Sequence, residues 1–220
     1  MPLSPETALT LALLLSSGAA ATPPPTPVHF TLAASACLAS NAPAPTRLTQ
    51  AAFPLLRFTS DFESRPSEPP ILWAVRLSRW RNDRAWALEL MHHKLYLTNA
   101  PPEIESFSIS HGYNLVTLQR IWKKPEASLS LLAGVVVAHP ESSVRGMRRA
   151  ERGGELGGGY DLAGPVVGGG IARSIALLEG VAVVGEARAT LSRVAIPIAE
   201  GEVRFTLAAA HLLLGVELSR

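Results

Sequence analysis

Apolar residues alternate with polar or small ones along most of this chain, the period-two signature of half-buried strands. In the window IESFSISHGYNLVTLQRIW, residues 104–122, Phe107, Ile109, His111, Tyr113 and Leu115 share one face and Ser108, Ser110, Gly112 and Asn114 the other. An ordinary globular strand has about 5–6 residues, so this length predicts a strand that crosses a membrane and continues above it. Seven more segments alternate in the same way: 53–61, 71–80, 85–97, 128–138, 166–177, 181–191 and 203–218. Each is close to the 9–11 residues, roughly, that a tilted transmembrane strand needs.

The connections carry further information. In order they are long (ESRPSEPP), short (RNDR), medium (TNAPPE), short (KKPEA), very long (residues 139–161), short (LLEG) and medium (RVAIPIAEG). Outer-membrane barrels have short periplasmic turns, longer extracellular loops and an even number of strands. The alternation therefore predicts an all-β, eight-stranded antiparallel up-and-down transmembrane β-barrel with both termini periplasmic; a monomer is expected.

Composition narrows the function classes. Of the 220 residues 47% are hydrophobic and 17% charged, mean hydropathy is +0.20 and the formal charge is +2. Beyond the N-terminal region no apolar run is long enough for a helical span, and no basic run interleaved with aromatics suggests nucleic acid. Arg57, Arg76, Glu89, Glu186, Arg188, His211 and Glu217 share parity with small residues. In a transmembrane barrel they point into a narrow lumen, where charges must be paired or wetted. A secreted lipocalin-like carrier of an apolar ligand would invert the two faces, and detergent dependence separates the readings. Trp73, Trp86, Tyr96, Phe107 and Trp122 are candidates for the interfacial girdles.

The N-terminus reads as an address. Ala8–Ala21 is a short apolar run ending in small residues, although the residues before it contain no Lys or Arg. Residues 1–21 are expected to be a signal peptide, 22–49 a Pro/Ala-rich disordered linker and 50–220 the barrel. Cys37 is the single cysteine and reads as a buried thiol; one cysteine gives neither an internal disulfide nor a CxxC metal site.

In strand number and loop alternation, residues 50–218 resemble the small eight-stranded outer-membrane barrels of the OmpA/OmpX type. Such proteins commonly end in an aromatic residue; this chain ends GVELSR. Locally, SHGYN is similar to the His-x-Ser-Asn segment of the outer-membrane lipid A 3-O-deacylases. The resemblance implies a general base at His111 and a neighbour at Asn114, but Tyr113 stands at the nucleophile's position, and Glu126, the nearest downstream acid, falls in a short turn. A lipid A-modifying acyl hydrolase is thus the alternative to a non-enzymatic barrel that is structural or binds a surface partner through its loops. His92 and His93 face opposite sides of a strand and cannot chelate one ion, and Gly157–Gly159 lacks the Lys-Ser/Thr of a phosphate loop; no cofactor is implied. His92, Lys94, His111, Arg145, Arg148, Arg149 and Arg152 are candidate contacts to outer-membrane lipid or lipopolysaccharide headgroups.

Overall fold

The structure, a computed structural model, describes residues 28–150 and 154–220; the segment read as a signal peptide lies outside them, as does Arg152. The described chain is organised as β1 (Val28–Asn41), β2 (Ala44–Gln50), β3 (Leu56–Ser60), β4 (Phe62–Glu63), β5 (Trp73–Arg81), β6 (Arg84–Leu97), β7 (Ile104–Lys123), β8 (Ser128–Ala138), β9 (Glu141–Val144), β10 (Met147–Arg148), β11 (Asp161–Leu178), β12 (Val181–Ile198) and β13 (Gly201–Ser219). Eight of these close a ring of antiparallel pairs in the order β1, β5, β6, β7, β8, β11, β12, β13 and back to β1. The ring is staggered. A row of paired residues leaves β1 at Phe30, passes Arg79, Trp86, Arg120, Leu131, Gly169, Ala189 and Ala210, and returns to β1 at Ser40. That offset is the shear by which tilted strands close a barrel.

The first barrel strand is Val28–Asn41, which corrects the reading of 22–49 as a disordered linker and of 53–61 as the opening strand. β1 does alternate, with Phe30, Leu32 and Leu38 outside and Thr31, Ala33 and Cys37 inside. Its contrast is low because alanine occupies both faces, and the proline-rich flanks read as linker. Residues 56–60 form β3, which pairs with β2 rather than with a barrel wall. Arg57 therefore does not face the lumen; it is exposed, directly opposite Arg47.

All three connections at one end are tight, at 82–83, 124–127 and 179–180. The other end carries 42–72, 98–103, 139–160 and a turn at 199–200, the last much shorter than the sequence implied because β12 and β13 stay paired to Ile198–Gly201. Both described chain ends lie at the tight-turn end.

Along the long strands the chemistry of the two faces exchanges part-way up. On β12 the inward positions run Glu186, Arg188, Thr190, Ser192 and then Val194, Ile196, Ile198, while the outward ones run Ala187, Ala189, Leu191 and then Arg193. β13 changes from outward Leu214, Leu212 and Ala210 to Thr206, Arg204 and Glu202. On β7, Gln119 and Thr117 point inward below Leu115, Tyr113, Ile109 and Phe107. A wall that is apolar outside and polar inside matches a hydrocarbon surround; the opposite pattern matches water. The exchange marks the membrane boundary, and the chain is an eight-stranded transmembrane barrel with a water-facing storey above it. Phe107 accordingly lies in the core and not in an interfacial girdle.

The upper storey consists of strands set end to end. β2 continues the line of β1 along β13, and β9 continues that of β8 along β7. The steps fall beside Pro43 and Pro140, which offer no N–H to a ladder. β3 and β4 close the gap towards the top of β6.

Candidate functional site

The lower barrel interior is filled by four charged side chains from three strands. Arg76 Nε donates to Glu89 Oε2 at 2.8 Å and its terminal nitrogen bonds Glu186. Arg188 donates through Nε to Glu186 Oε1 at 2.8 Å, through one terminal nitrogen to Glu89 Oε2 at 3.0 Å and Glu186 Oε1 at 2.7 Å, and through the other to Glu89. Two guanidinium forks and two carboxylates make a neutral plug, the arrangement in which charges can be held away from bulk water. Gly170 makes room for it: a Cβ there would lie 2.8 Å from Glu186 Oε1. Of the residues assigned to the lumen by parity, the structure brings together Arg76, Glu89, Glu186 and Arg188. His211 lies inside above them, accepting from or donating to Thr190 Oγ1 at 3.0 Å, and Glu217 lines a recess of about 410 Å³ below, open at the tight-turn end.

Above the plug sits a neutral polar layer, with His93 Nε2 and Asn41 Oδ1 3.1 Å apart and Tyr113 Oη and Ser192 Oγ 2.6 Å apart. Higher still, Phe62, Phe107, Phe205, Leu95, Ile109 and Ile196 form an apolar cap, Phe62 packing on Phe205 at 4.9 Å between ring centroids. Tyr113, at the position of the deacylase nucleophile, is thus an interior residue.

His111 does not follow the residues that share its parity, Phe107, Ile109, Tyr113 and Leu115, which point inward rather than to lipid. The β6–β7 register shifts between His93/Tyr113 and Leu95/Ile109, and Gly112 adopts φ +140° in the resulting bulge. The bulge turns His111 outward beside Ser110 on the upper storey, where its side chain is 61% exposed. Its Nδ1 is 2.5 Å from Glu141 Oε1 and 3.2 Å from Ser110 Oγ. Glu141, distant in sequence and brought in by β9, is the acid that sequence reasoning missed; no spacing rule signals it. Serine and acid meet the same ring nitrogen, so the imidazole does not stand between them as a base that is oriented by one and deprotonates the other. His139 and Tyr160 pack alongside, and among the described residues no group of three His, Cys, Asp or Glu is arranged to hold a metal ion. Asn114 Oδ1 instead pairs with His92 Nδ1 at 2.9 Å.

The candidate headgroup residues divide. His92 and Lys94 are buried: Trp73, the cross-strand partner of His92 on β5, stacks on it, and the Glu68 carbonyl, in the segment joining β4 to β5, accepts from Lys94 Nζ at 2.7 Å. These contacts remove both from the lipid surface. Arg149 is also withdrawn, in a 2.5 Å pair with Asp161, and Arg145 leans on Phe53 and the Pro54 carbonyl. Arg148 is exposed.

A basic row emerges that the sequence reading did not find. Arg57, Arg47 and Arg204 lie directly opposite one another across β3, β2 and β13, with Arg193 next to them on β12, all exposed on the outer wall above the changeover. Arg204 also pairs with Glu202 at 2.5 Å. Four widely separated arginines become neighbours only once β2 is known to extend β1.

No protein-family model matches the chain, and no curated protein does. Among solved structures, Neisserial surface protein A aligns at 11% identity over 87% of this chain and 96% of its own, with a TM-score of 0.42. The attachment invasion locus protein Ail of Yersinia pestis aligns at 10% identity over 87% and 98%, TM-score 0.41. OprG from Pseudomonas aeruginosa aligns at 9% identity over 89% and 97%, TM-score 0.44. By its own strand number, up-and-down order and apolar exterior, the chain is a small eight-stranded transmembrane β-barrel.

Proposed function

We propose that this protein is a non-enzymatic outer-membrane barrel, exported by its N-terminal segment, monomeric, with periplasmic termini and an extracellular storey that binds at the cell surface. The observation that carries the reading is the occupied interior: a neutral plug below and an apolar cap above fill the barrel axis, which directs attention to the outer surface. The outer wall offers a contact for lipopolysaccharide. Arg47, Arg57, Arg193 and Arg204 sit just above the changeover from apolar to polar exterior, within reach of headgroup phosphates, and arginine directly opposite arginine is unfavourable without an anion between them. The paired strands of the upper storey hold this surface rigid.

Two measurements test the proposal. A peptide tag inserted at 155–158 is labelled from outside intact cells, whereas one at 124–126 is labelled only after permeabilisation; the reverse result overturns the orientation. Lipid A from cells expressing the protein keeps its mass, with or without His111→Ala. Loss of one acyl chain that depends on His111 would establish the hydrolase in place of the non-enzymatic barrel.

A further inference from the structure

The outer wall carries a second cationic cluster at the opposite rim. Strand register builds it: Arg79 on β5 opposes Trp86 on β6, which opposes Arg120 on β7, and one row nearer the turns Arg81 opposes Arg84, which opposes Trp122. Both rows lie immediately below Leu77, Leu88 and Leu118, which are in register with one another and exposed on the lipid face. With strands about 4.7–4.9 Å apart, the four arginines are rooted within a patch of wall roughly 10 Å wide across β5, β6 and β7. Arg120 lies over Trp86, 5.0 Å from the ring centroid, and 6.0 Å from that of Trp122.

Among the described residues the only polar partner of these guanidinium groups is the Ala85 carbonyl, which accepts from Arg120 at 3.4 Å. Among the described residues none of the four arginines forms a salt bridge, and Asp83, in the adjoining turn, borders the same groove without pairing. The Arg81–Arg84 pair sets like charges directly opposite each other, an arrangement that costs stability unless a counter-charge enters. Arginine forks match phosphate oxygens, and tryptophan favours the depth at which headgroup meets acyl chain. A phosphate here would have its chains continue along the leucine rows above.

We propose that this cluster is a binding site for the phosphodiester headgroup of an anionic phospholipid. The acyl chains lie along Leu77, Leu88 and Leu118, Trp86 and Trp122 flank the glycerol, and the arginines take the phosphate oxygens. A zwitterionic choline headgroup is disfavoured, because its cation would meet four positive charges and Arg120 already occupies the face of Trp86. That the lipid belongs to the periplasmic leaflet rests on the orientation proposed above; headgroup binding does not, so the tagging experiment and the one below fail independently.

The test is native mass spectrometry of the full chain, folded in non-ionic detergent and titrated with phosphatidylglycerol, phosphatidylcholine or inorganic phosphate. The parent is expected to retain phosphatidylglycerol about tenfold better than phosphatidylcholine, with inorganic phosphate a weak competitor. Arg79→Gln/Arg81→Gln/Arg84→Gln/Arg120→Gln should abolish the preference. Arg47→Gln/Arg57→Gln/Arg193→Gln/Arg204→Gln, which removes the same charge from the other rim, should keep most of it. Equal retention of the two lipids by the parent, or equal losses in the two variants, overturns the site. Full displacement by millimolar phosphate would make it a simple anion site and overturn the lipid assignment. Should the first variant fail to fold, the parent decides alone: in vesicles, chain-brominated phosphatidylglycerol must quench its tryptophan emission more than brominated phosphatidylcholine does.

Discussion

At the scale of single residues, which environment a position faces decides the effect of a substitution. Leu131 and Leu212 lie on the hydrocarbon-facing wall, both at least 60% exposed, and arginine at either should cost about 2–4 kcal/mol. Thr49 is exposed on the water-facing storey, opposite Glu202, so Thr49→Arg should cost about 0–1 kcal/mol; urea titration in vesicles compares the three, and equal losses would abolish the boundary drawn from the face exchange. Inside, Arg188→Met leaves Glu89 and Glu186 sharing Arg76 alone. Breaking a buried pair in this way costs about 3–5 kcal/mol, and adding Glu186→Gln should recover part of that loss by restoring neutrality. Gly112 is a backbone case. Its φ of +140° suits few side chains, so Gly112→Val should strain the bulge by about 1–3 kcal/mol and turn His111 away from Glu141, which the chemical shifts of the His111 ring would report.

At the scale of elements, β1 closes the barrel by pairing with both β13 and β5. Deleting residues 28–41 should therefore abolish the heat-modifiable folded band in electrophoresis, whereas deletion of a linker would leave it intact. Period two is legible wherever one face is greasy and the other polar, as in β6, β8, β12 and β13, and the alternation of turn lengths is legible beside it. β1 is not legible, because alanine lies on both its faces; without it the eighth alternating segment is 53–61, whose parity sends Arg57 to a lumen it does not enter. The plug was accessible from parity alone because its four charges lie within the lower strands, below any bulge. That His111 faces outward while Phe107, Ile109, Tyr113 and Leu115, which share its parity, face inward is not legible, since a single bulge reverses the direction of a side chain. Its partner Glu141 reaches it through β9, a contact between separate elements that alternation cannot encode. The burial of Lys94 has the same origin, for the segment that carries Glu68 obeys no period.

For the whole molecule, two barriers stand in series along the barrel axis, and they differ in kind. The lower is electrostatic and could admit water if its ion pairs loosened; the upper is the cap around Phe62, Phe107 and Phe205, which hydrates poorly even when free to move. Purified protein in planar bilayers should accordingly show no conductance steps. Arg76→Ala/Glu89→Ala/Glu186→Ala/Arg188→Ala, although it enlarges the recess now ending at Arg76, should remain non-conducting provided the variant folds, because the cap persists. Steps should appear only when Phe62→Ser, Phe107→Ser and Phe205→Ser are added. Conductance from the parent would mean that the interior is wet throughout and would return transport to the list of functions. Conductance from the plug variant alone would instead show that the apolar storey opens readily, assigning the whole seal to four charged side chains.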